Sequence, residues 1–552
     1  MHYIKQVALC LLFYFLAGNI YSQNPYGEKT FGTQNNESCF SFIHTRDNGY
    51  AMLGSTTSPN AGKLDIYLTK LDSNEHVEWT KMYGGIENES GNCVRQTLDG
   101  GFIICGDEQS WGAGLADAYL IRTDSLGNIL WNRTYGGSHN DILVKIELTS
   151  DSNYIAVGYT ATPPNHTGDI FVIKVNDSGD TLWTRIIGDT LYYDAATNLV
   201  ANNDGGCTIS GRVTSYGEGY RDVMLSRLDA NGNIIWFHTY GGLYVEEGMA
   251  VTHTDDNGYV ITGGTETFSS NGYFDVYMMR IDSVGDIVWS KTYGGDKIEA
   301  TYCIVPADDG GFVVTGFTDS WAYLHLRTGN PLSILGDDSS HVFLMKVNAF
   351  GDTVWARAIG GTTQDEAYAL INAADGGYIV GAYSSSFSGT DSLDAFIIHT
   401  DSLGNSGCHS YPVSPDIGNP ATIQNNYNPG FTSGLVITNP PTIQDSVTFL
   451  ESDPCFGVSV EENKTVHDAV SIFPNPFRTS AVILLPENWK TPVNVTIYDV
   501  PGKKIRSENV LLSGNEIKIE RKNLPEGIYF IEIRTSEKYI ARIKILIAGK
   551  YN

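Results

Sequence analysis

Apolar and polar residues alternate in short runs through most of the chain, and glycine-rich turns separate these runs. One stretch reads Gly258-Tyr-Val-Ile-Thr-Gly, Asp275-Val-Tyr-Met-Met-Arg-Ile, a turn at Asp282-Ser-Val-Gly-Asp, and then Ile287-Val-Trp-Ser-Lys-Thr-Tyr. Short alternating runs are typical of β-strands, and glycine in such a turn supplies the positive φ that tight hairpins need. The pattern predicts an all-β protein built from antiparallel hairpins.

The same unit recurs seven times. An aspartate opens the turn before the second strand of each unit, and successive copies are 52, 52, 53, 52, 53 and 66 residues apart, at Asp47, Asp99, Asp151, Asp204, Asp256, Asp309 and Asp375. A tryptophan follows at 79, 131, 183, 236, 289 and 355. Four short strands at this period predict one β-propeller blade per unit, with the tryptophans packed between blades. The longer sixth unit carries an insertion around 321–338.

The seventh unit lacks its last strand, because Cys408 stands where the tryptophan is expected. Near the other end of the chain, Lys29-Thr-Phe-Gly-Thr33 aligns with Lys291-Thr-Tyr-Gly-Gly295, and its distance to the next turn aspartate is the same. We therefore predict a seven-bladed propeller over 23–408 whose N-terminal strand completes the last blade. The units also resemble a known bacterial family of seven-bladed propeller repeats, which implies a fold and no particular activity.

Charge divides the chain into two parts. Its 552 residues carry 63 acidic and 35 basic side chains, for a net charge of −28. Residues 461–552 hold 14 basic and 11 acidic side chains, whereas 1–460 hold 21 and 52. A strongly acidic surface repels phosphate backbones, so nucleic acid is excluded as a partner class. The contrast predicts separate folding units joined by a Pro/Asn/Thr-rich linker or small β insert at 409–460.

The N-terminus predicts export. Lys5 precedes an apolar run from Val7 to Ala17, and small and polar residues follow up to Ser22. This arrangement is typical of a secretory signal peptide at 1–22, and we expect no transmembrane span in the mature chain. Cys408 and Cys455 bracket the Pro-rich segment and are candidates for a disulfide.

Three sets of polar residues recur in the units. An acid lies ten residues before each turn aspartate: Glu37, Glu89, Asp141, Asp194, Glu246, Glu299 and Asp365. A base lies two residues after each tryptophan, and a third set opens the third strand of each unit at Asp65, Asp117, Asp169, Asp222, Asp275 and Asp394, with His341 in the sixth. The first set could form a carboxylate ring that binds a cation, but a residue used in every copy is expected to be structural. The insertion is a candidate binding surface through Trp321, Tyr323, His325 and Arg327.

The sequence contains no motif that predicts catalysis, a cofactor or a metal site. No Gly-x-Ser-x-Gly, His-Glu-x-x-His, P-loop or calcium loop is present,. A hydrolase acting on glycans at the channel mouth remains an alternative. Titratable side chains confined to two or three neighbouring blades would support it, and a uniform seven-fold rim would count against it.

The last 92 residues predict a small Ig-like β-sandwich. Within them Phe473-Pro-Asn-Pro-Phe477, Ile497-Tyr-Asp-Val-Pro-Gly-Lys-Lys504 and Leu524-Pro-Glu-Gly-Ile-Tyr-Phe530 strongly resemble the type A C-terminal sorting domain of the type IX secretion system of Bacteroidetes-type bacteria. The resemblance implies delivery across the outer membrane by the type IX machinery and removal of 461–552 by a sortase-like surface peptidase. Its motif residues here are Pro474, Asn475, Pro476, Gly502 and Gly527.

We expect a secreted or cell-surface propeller that binds a glycan or protein ligand without catalysis. This expectation rests partly on analogy with other propellers. The alternatives are the hydrolase and a purely structural surface protein.

Overall fold

The structure is a computed structural model of the whole chain. It describes residues 26–427 apart from 58–62, 162–167, 190, 270–271, 322–339 and 389–391, and mainly the strands beyond residue 427. The expected signal peptide lies outside the described residues. The described part of the chain contains no helix long and apolar enough to cross a membrane. Contacts divide the chain into two compact units, Met1–Gly457 and Val458–Asn552.

The first unit contains seven antiparallel sheets, which are the predicted propeller blades. The described chain begins with β1 (Gly27–Gly32), and each blade below is given from its innermost strand outwards. Blade one consists of β2 (Ser41–His44), β3 (Tyr50–Thr56), β4 (Asp65–Leu71) and β5 (Val77–Gly84). Blade two consists of β6 (Glu89–Gln96), β7 (Phe102–Glu108), β8 (Asp117–Thr123) and β9 (Ile129–Gly136). Blade three consists of β10 (Asp141–Leu148), β11 (Tyr154–Thr160), β12 (Asp169–Val175) and β13 (Thr181–Ile187).

The remaining blades follow the same order. Blade four consists of β14 (Ala195–Ala201), β15 (Cys207–Val213), β16 (Asp222–Leu228) and β17 (Ile234–Gly241). Blade five consists of β18 (Glu246–His253), β19 (Tyr259–Thr265), β20 (Asp275–Ile281) and β21 (Ile287–Gly294). Blade six consists of β22 (Glu299–Pro306), β23 (Phe312–Thr318), β24 (His341–Val347) and β25 (Thr353–Ile359). Blade seven consists of β26 (Asp365–Asn372), β27 (Tyr378–Ser384), β28 (Asp394–Thr400) and, as its fourth strand, β1.

The ring closes as the sequence predicts. Strand β1 pairs antiparallel with β28, in a register that runs from Gly27 opposite His399 to Phe31 opposite Ala395. The first and last parts of the propeller sequence therefore share one sheet. The all-β, seven-bladed fold predicted from the repeat is confirmed.

Each hydrophobic core lies between two neighbouring blades. Between blades one and two, Leu53 and Ile66 pack in one cluster with Phe102 and Ile104, and all four side chains are fully buried. The middle strands are apolar on both faces because each face meets a different neighbour. The tryptophans lie at the same interfaces, where Trp131 Nε1 donates a hydrogen bond to the backbone oxygen of Asp177 in the next blade at 2.8 Å.

The segment expected to be a linker or small insert adds a fifth strand to every blade. Residues 410–452, which we call the belt, pass the blades in the order six, five, four, three, two, one and seven. Their strands are β29 (Ser410–Pro412), β30 (Asp416–Gly418), β31 (Ile423–Tyr427), β32 (Phe431–Thr432), β33 (Val436–Thr438), β34 (Ile443–Ser446) and β35 (Leu450–Ser452). The open edge of each outermost strand supplies unpaired backbone groups, and the belt satisfies part of them.

The second unit has two sheets and its own core. One sheet contains β36 (Ser471–Phe473), β37 (Ser480–Leu484) and β40 (Glu516–Glu520). The other contains β38 (Val493–Tyr498), β39 (Lys504–Val510), β41 (Gly527–Thr535) and β42 (Ile540–Ile547). Ile483 and Ile519 from the first sheet pack in one buried cluster with Val495 and Ile531 from the second.

Candidate functional site

The recurrent acids hold loops in place and do not face a ligand. Glu89, which opens the innermost strand of blade two, is fully buried, and its Oε2 accepts the N–H of Gly85 at 2.7 Å. Equivalent bonds from the residue four places earlier reach Glu37, Asp141, Glu246, Glu299 and Asp365. These acids, which are at most 1% exposed, therefore fix the turn that enters six of the seven blades.

A second bond ties most of these acids to their own blade. Thr318 donates to Glu299 Oε1 at 2.8 Å, and Thr265 donates to Glu246 Oε1 at 2.8 Å. Hydroxyls of Thr56, Thr160 and Ser384 bind Glu37, Asp141 and Asp365 in the same way. Bound on both oxygens and shielded from solvent, these carboxylates are poorly placed to bind a cation or a basic ligand.

The third set of acids lies close to the first across the blade interfaces, except where His341 replaces the acid in blade six. Burial, and then the charge of Glu89 in the next blade, raises the pKa of Asp65 to about 7. Burial also raises the pKa of Asp169 and of Asp394 to about 7, with smaller contributions from Asp194 and Glu37 respectively. These interfaces therefore contain paired carboxyls of which one retains its proton near neutral pH.

The recurrent bases bind the hairpin turn of the following blade. Lys291 Nζ lies 2.6 Å from Asp352 Oδ1, Arg133 Nη2 donates to Ser178 O at 2.8 Å, and Arg185 Nε donates to Gly232 O at 2.8 Å. In blade four the corresponding residue is His238, whose Nδ1 lies 2.8 Å from the Gln424 side chain of the belt. The first set of acids and the recurrent bases thus make structural contacts, whereas the third set contributes buried carboxyls that face the first set.

A bulge in six of the seven innermost strands helps to supply the residues that line the central channel. In six of the innermost strands the pairing skips one residue, for example between Gly91 and Cys93 of β6. The skipped residue, three places after the recurrent acid, is partly exposed in every one of these strands. With Phe40 at the corresponding place in blade one, these residues form what we call the channel ring: Phe40, Asn92, Val144, Thr197, Met249, Tyr302 and Tyr368.

The channel ring surrounds a cavity large enough for a small ligand. The cavity has a volume of about 450 Å³, and residues adjoining the ring, such as Lys145, Arg212 and Cys303, complete its wall. A second cavity of about 270 Å³ continues toward the opposite end and shares Phe40, Lys145 and Tyr368 with the first. Volumes of this size are typical of ligand sites.

One side of the channel is aromatic. The Tyr302 and Tyr368 rings stack at 4.8 Å with an interplanar angle of 3°. Phe317 stacks on Tyr302 at 6.0 Å, Tyr383 stacks on Tyr368 at 5.7 Å, and Phe40 meets Tyr368 edge-on at 5.4 Å. These five residues, from blades six, seven and one, are called the aromatic cluster.

The aromatic cluster surrounds a carboxylate. Tyr368 donates a hydrogen bond to Glu366 Oε2 at 3.1 Å, and Gln364 Nε2 donates to Glu366 Oε1 at 2.8 Å. Burial, followed by the charge of Glu366, raises the pKa of both Tyr368 and Tyr383. The phenols therefore stay protonated at neutral pH and act as hydrogen-bonding groups.

The opposite side carries an ion-paired group. Arg212 Nη1 lies 3.0 Å from Glu247 Oε1, and Arg221 binds the same carboxylate oxygen. The Arg212 guanidinium also lies 5.7 Å from the centre of the Tyr193 ring, a cation–π contact. The two sides of the channel thus present different chemistry, unlike the recurrent sets.

Sequence reasoning did not identify the channel ring. Comparison of the copies draws attention to positions that stay constant, whereas the channel ring occupies a position that varies from copy to copy. The sequence nevertheless contains a pattern that could have identified the site. Three neighbouring blades carry an aromatic residue three places after the recurrent acid, at Tyr302, Tyr368 and Phe40, and the other four blades do not.

The predicted insert site is described only at its first residue. Trp321 stacks on Phe343 at 5.7 Å and packs against the core between blades five and six. Its partly buried ring has a structural role there. Tyr323, His325 and Arg327 lie outside the described residues.

The remaining candidates concern the cysteines and the tail. Cys408 is disulfide-bonded, and Cys455, its expected partner, lies outside the described residues. Glu28, Cys408 and His409 lie close enough to hold a metal ion, but a sulfur committed to a disulfide is not a thiolate ligand,. Of the sorting motif, Gly527 begins β41, whereas Pro474, Asn475, Pro476 and Gly502 lie outside the described residues.

Comparison with known proteins identifies the tail. Residues 471–548 match the family described as the secretion system C-terminal sorting domain. The chain therefore carries a type IX sorting signal and is exported to the cell surface or the medium, as the sequence predicts. No curated protein matches the chain.

Several solved structures are similar to parts of the chain. A puromycin hydrolase mutant complexed with PGG is 12% identical, with a TM-score of 0.40, over 70% of this chain and 54% of that one. Another puromycin hydrolase structure is 11% identical, with a TM-score of 0.38, over 83% of this chain and 61% of that one. The extracellular domain of a putative one-component system from B. thetaiotaomicron is 12% identical, with a TM-score of 0.20, over 93% and 80%. The chain spans little more than half the length of the hydrolases.

Proposed function

We propose that this exported propeller is a non-catalytic binding module whose ligand enters the central channel and contacts the aromatic cluster. The observation that carries the proposal is the loss of seven-fold symmetry at the channel ring. The positions that hold the blades together carry similar residues in most copies, whereas the position that lines the channel carries aromatic side chains on one side only. Aromatic residues with a few fixed polar groups are what a ligand pocket of this volume usually contains.

Binding of the mature full chain to glycan arrays and to cell surfaces tests the proposal, with calcium and with a chelator. We expect saturable binding to one class of ligand, weakened about tenfold or more by Tyr302→Ala or Tyr368→Ala. Phe350→Ala removes a similarly large side chain that is 72% exposed on a hairpin turn, and it should leave binding unchanged. Absence of binding by a folded preparation, or binding unaffected by both tyrosine changes, would contradict the proposal and favour a structural role.

One observation favours the hydrolase alternative. Glu366, Tyr302, Tyr368 and Tyr383 place the titratable groups of the aromatic cluster on two neighbouring blades, six and seven. The raised tyrosine pKa values argue against a phenolate nucleophile, which leaves Glu366 as the group to examine. Products formed from labelled glycans by the wild type and lost in Glu366→Gln would establish catalysis. Binding without turnover would support the binding module.

A further inference from the structure

Lys145 lies where the two channel cavities share lining residues. It follows the bulged residue Val144 on β10 and lines both the 450 Å³ and the 270 Å³ cavities. Tyr368 and Phe40 of the aromatic cluster line the same two cavities. An ammonium group and the aromatic cluster thus face one continuous space.

The positive charge of Lys145 is only partly compensated. Within the described part of the chain, its partly buried side chain makes no hydrogen bond and no ion pair. The nearest acid along its strand, Glu147, binds Arg95 through two bonds, of which the one from Nε is 2.8 Å long. Against the effect of burial, the charge of Arg95 and then that of Lys145 lower the pKa of Glu147, so one carboxylate faces two cations and a net positive charge remains.

The other acids near the channel make no ion pair with Lys145 within the described residues. Glu247 binds two arginines, and Glu366 accepts hydrogen bonds from Tyr368 and Gln364. Asp107 of blade two is partly buried, and although burial raises its pKa to about 6, it is charged at pH 7. A partly buried ammonium is costly unless an anion is paired with it, and none of these acids is paired with Lys145.

The groups that line the larger cavity with Lys145 indicate what kind of molecule carries the anion. The hydroxyls of Tyr302 and Tyr368 and the side chains of Asn92 and Thr197 offer donors and acceptors suited to a ligand rich in hydroxyl groups. Phe40 and the ring edges beside them offer apolar contact for the C–H faces of a sugar ring. A free inorganic anion would bind Lys145 alone and would not contact the aromatic cluster or the polar groups beside it.

We propose that the channel binds a carboxylate-bearing saccharide, with the uronic acid carboxylate on Lys145 and the sugar rings against the aromatic cluster. This inference rests on the proposed binding function and specifies its ligand. The carboxylate supplies the counter-charge that Lys145 needs. A charge-assisted hydrogen bond between the two distinguishes an acidic sugar from a neutral one.

The test compares matched saccharides on the mature full chain. Calorimetry with glucuronic acid-terminated oligosaccharides and their glucose-terminated counterparts should show tighter binding of the acidic series. Lys145→Met keeps the length of the side chain and removes its charge, so it should weaken acidic binding by about tenfold to a hundredfold and leave neutral binding unchanged. Lys63→Met, which removes a lysine 67% exposed in a surface pair with Glu87, is the control and should have no effect.

Thermal unfolding without ligand shows whether Lys145→Met is still folded and stable. Because Lys145 makes no hydrogen bond or ion pair among the described residues, the Tm of Lys145→Met without ligand should equal or exceed that of the wild type. A clear fall in stability would show that the lysine has a structural role and would overturn the inference.

The outcomes separate this inference from the proposed function. Three results would contradict the inference that the ligand is an acidic saccharide while the proposed binding function is retained. These are equal binding of the acidic and neutral series, an acidic preference that persists in Lys145→Met, and Tyr302-dependent binding of other ligands only. Failure of every ligand to bind in a way that depends on Tyr302 or Tyr368 would overturn both.

Discussion

Replacing Asp65 by asparagine should make the propeller more stable at pH 8 and leave its stability near pH 4 almost unchanged. The carboxyl of Asp65 is fully buried, and among the described residues neither of its oxygens has a hydrogen-bond partner. Its neighbour across the interface is Glu89, whose Oε1 also lacks one. An amide at position 65 cannot ionise, and its NH₂ group can donate to Glu89.

The magnitude follows from the raised pKa of Asp65. The folded protein holds the proton up to about pH 7, whereas the usual value is 3.8. The folded state therefore binds more protons than the unfolded state between these values, so its stability falls as the pH rises from about 4 to about 7 and stays reduced above that. Each tenfold change in proton affinity corresponds to about 1.4 kcal/mol, which gives about 4 kcal/mol for this carboxyl. For a unit of about 430 residues this corresponds to about 4 °C in Tm.

Thermal unfolding followed at pH 4, 5, 6, 7 and 8 measures this difference. The Tm of Asp65→Asn should separate from that of the wild type between pH 4 and 7 and remain about 4 °C higher at pH 8. Asp296→Asn, at an exposed carboxyl in the loop before blade six, is the control and should follow the wild type. A variant less stable than the wild type at pH 8, or a difference that does not change with pH, would refute the reasoning. Because Asp169 and Asp394 lie at other interfaces, combining all three changes should give roughly additive effects.

Three further outcomes are expected. Tyr135→Phe removes the buried hydroxyl that donates to Gly179 O at 2.8 Å in the next blade, and it should lower the unfolding free energy by about 1–3 kcal/mol in urea titrations,. Arg95→Met removes the ion-pair partner of Glu147 and should lower the unfolding free energy by about 3–5 kcal/mol,. Combining it with Glu147→Leu should restore much of that free energy in the same titration. Tyr427→Ala removes the hydroxyl that accepts the N–H of Gly217 at 3.0 Å and the ring that packs on Tyr216, so limited proteolysis should cut the belt faster than in the wild type; an unchanged cutting rate would mean that the other strands hold the belt unaided.

The repeat could be predicted because its recurrent residues make the same kind of structural contact in successive blades. Glu299 binds Gly295 and Thr318, and the equivalent residues of four other blades make both bonds, so the sequence repeats where the geometry does. A ligand in the channel contacts each blade in a different way, so it does not require the same residue in every copy. Tyr302 and Tyr368 could be found only after the bulge showed that their position points into the channel.

The belt was harder to foresee because strands of two to five residues give little alternation, and their pairing partners lie far away in sequence. A weaker signal was nevertheless present, since an apolar residue stands at every sixth to eighth place: Tyr411, Ile417, Ile423, Phe431, Ile437, Ile443 and Leu450. Each of these residues lies in one belt strand, and Ile417 and Ile437 pair with Tyr293 and Tyr135 at corresponding places in blades five and two. At about 3.3 Å per residue, that spacing carries an extended chain roughly 20–26 Å, far enough to reach the next blade's edge. Since the belt ends at Ser452 and the second unit begins at Val458, a cut at the junction of the two units releases a propeller that keeps all seven added strands.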